Sequence, residues 1–165
     1  MTATPEPTLS TDAAETAESA APENVGGLSG HELLSRTAVV VVSYDSAALL
    51  ERTLVRVAED SPEARIVVVD NYSTPAAREE LVALASSRGW EAVLPETNTG
   101  FGGGMNLGAA RARELGADLL VLLNPDAVIA RADLIRLAAR AYADRSALVA
   151  PVLKDSTGRI VSDGI

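Results

Sequence analysis

Leu119-Leu120-Val121-Leu122-Leu123-Asn124-Pro125-Asp126-Ala127 is the stretch whose reading decides the fold. Five aliphatic residues follow one another without polar alternation, too few for a buried helix. They suit a strand covered on both faces and predict a central place in a parallel sheet. Pro125 has no N–H for a sheet ladder, so the strand stops near Asn124 and leaves Asp126 just beyond its carboxyl end. Ligands bind at that rim of open α/β sheets, and an acid there suits a divalent cation. The same pattern also serves a plain turn in which Asp126 only caps the backbone.

Working outward, Ala38–Val42 and Ile66–Val69 are further β-branched runs, Glu91–Leu94 is a weaker one closed by Pro95, and Ala147–Leu153 reads as a fifth strand. Between them apolar residues recur at helical spacing. One helix carries Leu50, Leu54, Val57 and Ala58 through Asp60, and the next starts at a Thr74-Pro75 cap and continues through Leu81, Leu84 and Ala85. Two more run through Leu107, Ala110 and Leu115 and through Leu134, Leu137, Ala138 and Ala141. Lys154–Gly158 is a turn into Arg159–Ser162. Strand and helix in alternation predict an α/β fold with a doubly wound, mainly parallel sheet.

Length and composition bound this reading. A chain of 165 residues with 47% hydrophobic content supports one domain with a sizeable core. With no cysteine there is no disulfide framework or thiolate site, which fits a reducing compartment. The net charge of −9 argues against a nucleic-acid partner. Six acids (Glu6, Asp12, Glu15, Glu18, Glu23, Glu32) and no Lys or Arg fall in residues 1–32, so the remainder carries only −3. That stretch lacks aromatic residues and reads as a disordered acidic tail, with the folded domain at residues 33–165. His31, the only histidine, reads as a solvated linker residue. The aliphatic runs are far below the ~20 residues that cross a bilayer, so no transmembrane segment is expected. There is no basic, apolar secretory start either, which points to the cytoplasm.

Asn98-Thr99-Gly100-Phe101-Gly102-Gly103-Gly104-Met105-Asn106-Leu107-Gly108 is the second informative stretch. Glycines at a helix start allow close backbone approach and present N–H groups to an anion. The run is neither a dinucleotide fingerprint, which needs G-x-G-x-x-G after the first strand, nor a Walker loop, because Ala109-Ala110 stands where Lys and Ser or Thr would be. It also reads as a helix entry that packs tightly on the sheet.

Together, Val39–Tyr44, Val67–Thr74, Asn98–Gly108 and Leu122–Ala127 resemble a family 2 glycosyltransferase with the GT-A fold, particularly the bacterial rhamnosyltransferase-like branch. The resemblance covers about Thr37 to Leu153. It implies a Rossmann-like nucleotide-binding half in which Ser43, Tyr44 and Asn124 line the nucleotide-sugar pocket, Asp70 bonds the base or ribose, and Asn71 supports that edge. Gly100, Phe101, Gly102 and Gly103, with Asn106 behind them, would shape the floor. Asp126 would hold Mg2+ or Mn2+ against the diphosphate. Asp45 and Tyr72 depart from the family's usual Asn and small residue.

The implied activity is metal-assisted transfer of a sugar from a dTDP- or UDP-sugar, such as dTDP-rhamnose, to a glycan or lipid-linked acceptor in cell-wall polysaccharide biosynthesis. A lipid-linked acceptor would bring the protein to the inner membrane face. Family members take their catalytic base from a region after the fifth strand. Asp155 and Asp163 are the only acids after Asp144 and match no base motif. The base is therefore unassigned and expected beyond Ile165, and the fold is expected to be C-terminally incomplete. The exposed edge of such a sheet predicts self-association. A non-catalytic nucleotide-binding or interaction module is the alternative.

Overall fold

The computed structural model describes residues 24–155 and 157–162. The acidic tail up to Glu23 lies outside the described residues, and so do Asp163 and Ile165. The catalytic base expected beyond Ile165 lies outside the described residues too. Strands β1 (Asn24–Val25) and β2 (Leu28–Ser29) form a small antiparallel hairpin that leads into helix α1 (Gly30–Ser35). Residues 24–32, assigned to the tail on composition, therefore carry secondary structure. Local chemistry explains this: Ser29 and Glu32 cap α1 reciprocally, the Glu32 carboxylate accepting from the Ser29 N–H at 2.8 Å. His31 is not solely a solvated linker residue, because its Nδ1 lies 2.9 Å from Glu63 Oε1.

The main sheet holds β3 (Thr37–Ser43), β4 (Arg65–Asp70), β5 (Glu91–Val93) and β6 (Leu119–Leu123), in the order β5-β4-β3-β6 with all pairs parallel. The connections are α2 (Ala47–Arg52) with α3 (Leu54–Asp60), α4 (Pro75–Arg88) and α5 (Gly100–Glu114), and α6 (Arg131–Ala143) follows β6. Successive strand residues face opposite layers. Val39, Val41, Ile66 and Val68 pack with Leu50, Leu54, Val57, Leu81 and Leu134 of α2, α3, α4 and α6. Ala38, Val40, Val42, Val67 and Val69 pack with Met105 and Ala112 of α5. Each fully buried aliphatic side chain contributes about 1.5–3 kcal/mol.

Three expectations need correction. The central strand is β3, buried along its whole length, whereas β6 is an outer strand whose Leu122 is 55% exposed. An unbroken aliphatic run reads alike in either place, and only pairing distinguishes them. Ala147–Leu153 does not join the sheet: residues 147–152 form no strand and Leu148 is 84% exposed. Pro151 cannot donate to a ladder, and Leu153–Lys154 (β7) instead pairs with Ile160–Ser162 (β8) as a separate antiparallel hairpin. The helix expected through Asp60 breaks at Thr53, whose hydroxyl is shared between the Leu49 carbonyl at 2.9 Å and the distant Pro125 carbonyl at 2.7 Å.

The glycine run turns out to be helical from Gly100 onward. Two of its members let α5 lie directly on the sheet. A Cβ at Gly108 would collide with Val40 Cγ1 and come within 2.9 Å of Val69 Cγ2, and one at Gly104 would reach Val42 Cγ2 at 3.0 Å. On the opposite layer, Arg131 grips Glu63 with two bonds of 2.5 and 2.7 Å, tying the start of α6 to the α3–β4 connection.

Two outcomes follow for stability. Gly108→Ala should destabilise by about 1–3 kcal/mol through overpacking despite alanine's better helix propensity, whereas Gly102→Ala, where a Cβ meets nothing within 4 Å, should be neutral or stabilising by up to ~1 kcal/mol. Denaturant titration of both variants checks the contrast. The Arg131 guanidinium holds Glu63 at about 2, below its ordinary 4.5. A depressed carboxylate contributes stability that is complete above pH 4.5 and lost as pH falls from there through about 2. Glu63→Gln should thus cost about 1–2 kcal/mol at neutral pH and progressively less toward pH 2, as read from unfolding curves across that range.

Candidate functional site

Parallel strands bring their carboxyl ends to one rim, where β3 is followed by Tyr44 and Asp45, β4 by Asn71 and Tyr72, and β6 by Asn124, Pro125 and Asp126. Register sets the details. Ser43 pairs with Asp70 and Val41 with Leu123, so the Asn124–Asp126 turn rises beside Val42 and Tyr44. A cleft of about 450 Å³ opens there, lined by Val42, Tyr44, Ser46, Leu49, Asn71, Phe101, Asn124, Pro125 and Asp126. A slightly larger hollow around Trp90 and Arg65 lies by the amino ends of β4 and β5, away from this convergence.

Each wall of the cleft is held by a long-range bond. Asn71 Oδ1 accepts the Thr99 N–H at 3.1 Å and fastens the start of α5 to the end of β4. Thr53 holds the Pro125 carbonyl. Gly100, at φ +73, turns the chain into α5, and its N–H donates to Asn98 Oδ1 at 2.8 Å. The N–H groups of the following turn have no intrahelical acceptors and carry the positive end of the helix dipole. Of the five aromatic residues in the chain, Tyr44 and Phe101 are the two strongly exposed ones, at 59% and 56%, and both line this cleft. No Lys or Arg lines it.

The expected site residues separate into two groups. Tyr44, Asn71, Phe101, Asn124 and Asp126 line the cleft. Ser43 is buried beneath it, with its hydroxyl 2.8 Å from that of Ser46. Gly100, Gly102 and Gly103 form the first turn of α5 next to Phe101, while Asn106 is exposed in the next turn. Asp70 is enclosed: Tyr72 N–H donates to its Oδ1 at 3.2 Å and Arg78 Nε to its Oδ2 at 2.5 Å. Arg78, Ser46, Leu49 and Thr53 went unremarked as site residues in the sequence. Arg78 sits eight residues after Asp70, about one turn into α4, and that spacing was the only signal available.

Asp45 and Tyr72 occupy equivalent places, two residues past β3 and β4, and both are left-handed, at φ +50 and +46. Asn and Asp tolerate that region far better than bulky residues, which accounts for Asp45 standing where Asn is usual. Asp155 accepts from Thr157 N–H at 2.9 Å, Thr157 hydroxyl at 2.6 Å and Arg159 N–H at 3.1 Å. The Thr157 hydroxyl holds its carboxyl below the ordinary range. It is a turn acceptor for the β7–β8 hairpin.

A parallel α/β sheet with a cleft at its carboxyl rim, beside a glycine-started helix, has a GT-A-like architecture. The family model for glycosyl transferase family 2 matches residues 38–162, and the chain belongs to that family. Its fold is similar to that of the mannosyltransferase PcManGT from Pyrobaculum calidifontis, determined with GDP-Man and Mn2+, at 21% identity and TM-score 0.54 over 72% of this chain and 34% of that one. It is also similar to S. aureus TarS 1–349 at 21% identity and TM-score 0.51, over 66% and 33%. The same domain has been determined with UDP. This chain thus spans about a third of the length of those proteins. No curated protein matches it significantly. No helix among the described residues is long and apolar enough to cross a membrane.

Asp126 is exposed and its carboxylate makes no hydrogen bond among the described residues, whereas Asn71 is buried and bonded. Asp126→Ala should therefore change unfolding free energy by less than about 0.5 kcal/mol, and Asn71→Ala should cost about 1–2 kcal/mol. Thermal and denaturant unfolding of the two variants tests this division between binding and structure.

Proposed function

We propose that this domain binds the nucleotide-sugar donor of a glycosyl transfer reaction in the cleft between Tyr44, Phe101 and Asp126. The observation that carries the reading is the cleft's chemistry: two exposed aromatic faces, a helix start rich in free N–H groups, one carboxylate, and no cationic side chain. Aromatic faces suit a planar base or the apolar face of a sugar ring. A diphosphate here would find only the partial charge of α5, so a divalent ion is needed to balance it.

The donor set fits such an ion. Among the described residues no cluster of three or more metal-binding side chains exists. One carboxylate with a neighbouring amide is what Mg2+ or Mn2+ uses when most of its remaining ligands come from water and substrate phosphates. Asp126 would hold the ion with Asn124 beside it, and the ion would neutralise charge on the departing nucleoside diphosphate. Tyr44 and Asn71 would flank the nucleotide, with Ser43 and Asp70 behind them. Gly100, Phe101, Gly102 and Gly103, backed by Asn106, would lie under the diphosphate and sugar. The base that takes the acceptor's proton is proposed to come from beyond Ile165.

At the finer level, the four sequence motifs favour the rhamnosyltransferase-like branch, with a dTDP- or UDP-sugar such as dTDP-rhamnose as donor and a glycan or lipid-linked acceptor. The solved relatives' complexes with GDP-Man and Mn2+ and with UDP support a nucleotide sugar and a divalent ion in general terms. A cytoplasmic protein, peripheral at the inner membrane face, is the placement that goes with such an acceptor. The open outer edge of β6 favours self-association.

Titration calorimetry with UDP, dTDP and GDP, with and without Mn2+, tests this. Mn2+ should tighten binding about tenfold or more, and Asp126→Ala should abolish that gain. Binding indifferent to both metal and substitution would remove Asp126 from its role. Absence of any nucleotide binding would favour an interaction module.

A further inference from the structure

Thr53 stands at the break between α2 and α3, where it closes the first helix and opens the second. Its backbone already serves both: its N–H donates to the Leu49 carbonyl at 3.1 Å, and its carbonyl accepts the Val57 N–H at 3.3 Å. The side chain is therefore not needed to satisfy the helix ends. A hydroxyl has one proton to give, and the shorter of its two contacts is the one to the Pro125 carbonyl, 2.7 Å away and 72 residues along the chain. No other group among the described residues donates to that carbonyl.

The Pro125 carbonyl belongs to the central peptide of a four-residue turn. Asn124-Pro125-Asp126-Ala127 is closed by the Ala127 N–H, which donates to the Asn124 carbonyl at 3.1 Å. Proline at the second position suits turns of type I and type II alike. The two differ by a flip of the peptide between the second and third residues, which takes the third from negative to positive φ. Aspartate tolerates positive φ better than most residues, as Asp45 does at +50, so a Pro-Asp pair leaves both forms open. Among the described non-glycine residues only Asp45 and Tyr72 have positive φ, so Asp126 sits in the unflipped turn.

We propose that Thr53 is a positioning residue for the divalent ion: it holds the Pro125 carbonyl so that the turn stays unflipped and Asp126 keeps its carboxylate in the cleft. This rests on the nucleotide-sugar reading above, in which Asp126 holds the ion. The rotamers open to a side chain depend on its backbone angles, so a flip of the preceding peptide changes where the Asp126 carboxylate can reach. That carboxylate makes no hydrogen bond among the described residues, and the turn beneath it is what sets its position. An ion with a single protein carboxylate loses affinity by the fraction of time that the carboxylate is misplaced. Without the ion, UDP depends on the aromatic faces and the start of α5, which Thr53 does not hold.

The test is calorimetric binding of UDP, with and without Mn2+, to the unsubstituted chain and to Thr53→Val, Thr53→Ala and Thr53→Ser. Valine keeps the branched shape and removes only the hydroxyl. Thr53→Val should leave metal-free UDP affinity unchanged and shrink the gain from Mn2+ about three- to tenfold. Thr53→Ser, which keeps the hydroxyl, should retain the gain. Should Thr53→Val fail to fold, Thr53→Ala carries the same comparison. A Mn2+ gain undiminished without the hydroxyl, an equal loss of metal-free binding, or a serine variant that behaves like valine would overturn the inference and leave donor binding standing. UDP binding that Mn2+ does not strengthen in the unsubstituted chain would overturn it together with the metal role of Asp126, and no UDP binding at all would overturn the donor reading as well.

Discussion

The seating of α5 on the sheet is the constraint from which the rest of the site takes its dimensions. Gly104 and Gly108 fall one turn apart on the face that meets Val40, Val42 and Val69, and with no side chain between them the helix backbone rests on the valine methyls. Interiors packed at crystal-like density do not yield to an inserted methyl without moving something rigid. The height of α5 above the sheet is therefore set in the core. Its first turn, at the other end of a nearly rigid rod, arrives at the rim in a position that the loop does not choose.

What surrounds that first turn is a set of bonds between residues far apart in the chain. Asn71 reaches Thr99, Thr53 reaches Pro125, and Arg78 reaches Asp70 and Pro95. Each closes a loop onto a neighbour instead of onto solvent, so the rim is a braced ring around the cleft. Two left-handed residues, Asp45 and Tyr72, turn the chain away from the sheet at matching positions after adjacent strands. The ring is polar toward the cleft, whose lining among the described residues holds one carboxylate, Asp126, and no Lys or Arg.

Much of this was legible from pattern. Every main-sheet strand lay under a β-branched or aliphatic run, and the parallel order followed from strand and helix in alternation. The glycine stretch was read both as a ligand-facing helix start and as a tight packing element; the packing is done by Gly104 and Gly108 in the core, while Gly100 to Gly103 form the helix start at the rim. The errors share a cause. Whether Leu119–Leu123 is central, whether Ala147–Leu153 pairs, and whether one helix runs through Thr53 all depend on a partner remote in sequence, and local periodicity carries no record of one.

The amino-acid order by itself therefore determined the elements, their parallel arrangement and the polar strand ends, because hydrophobic period and turn chemistry are properties of neighbours. Tertiary structure alone decided which strand lies inside, which residues face the cleft and which stand behind it. Asp70 shows the difference: as an acid at a strand end it was readable, but its enclosure by Tyr72 and Arg78 was not. A side chain's partners are fixed by packing in three dimensions, and a buried carboxylate takes whichever cation the fold brings within reach.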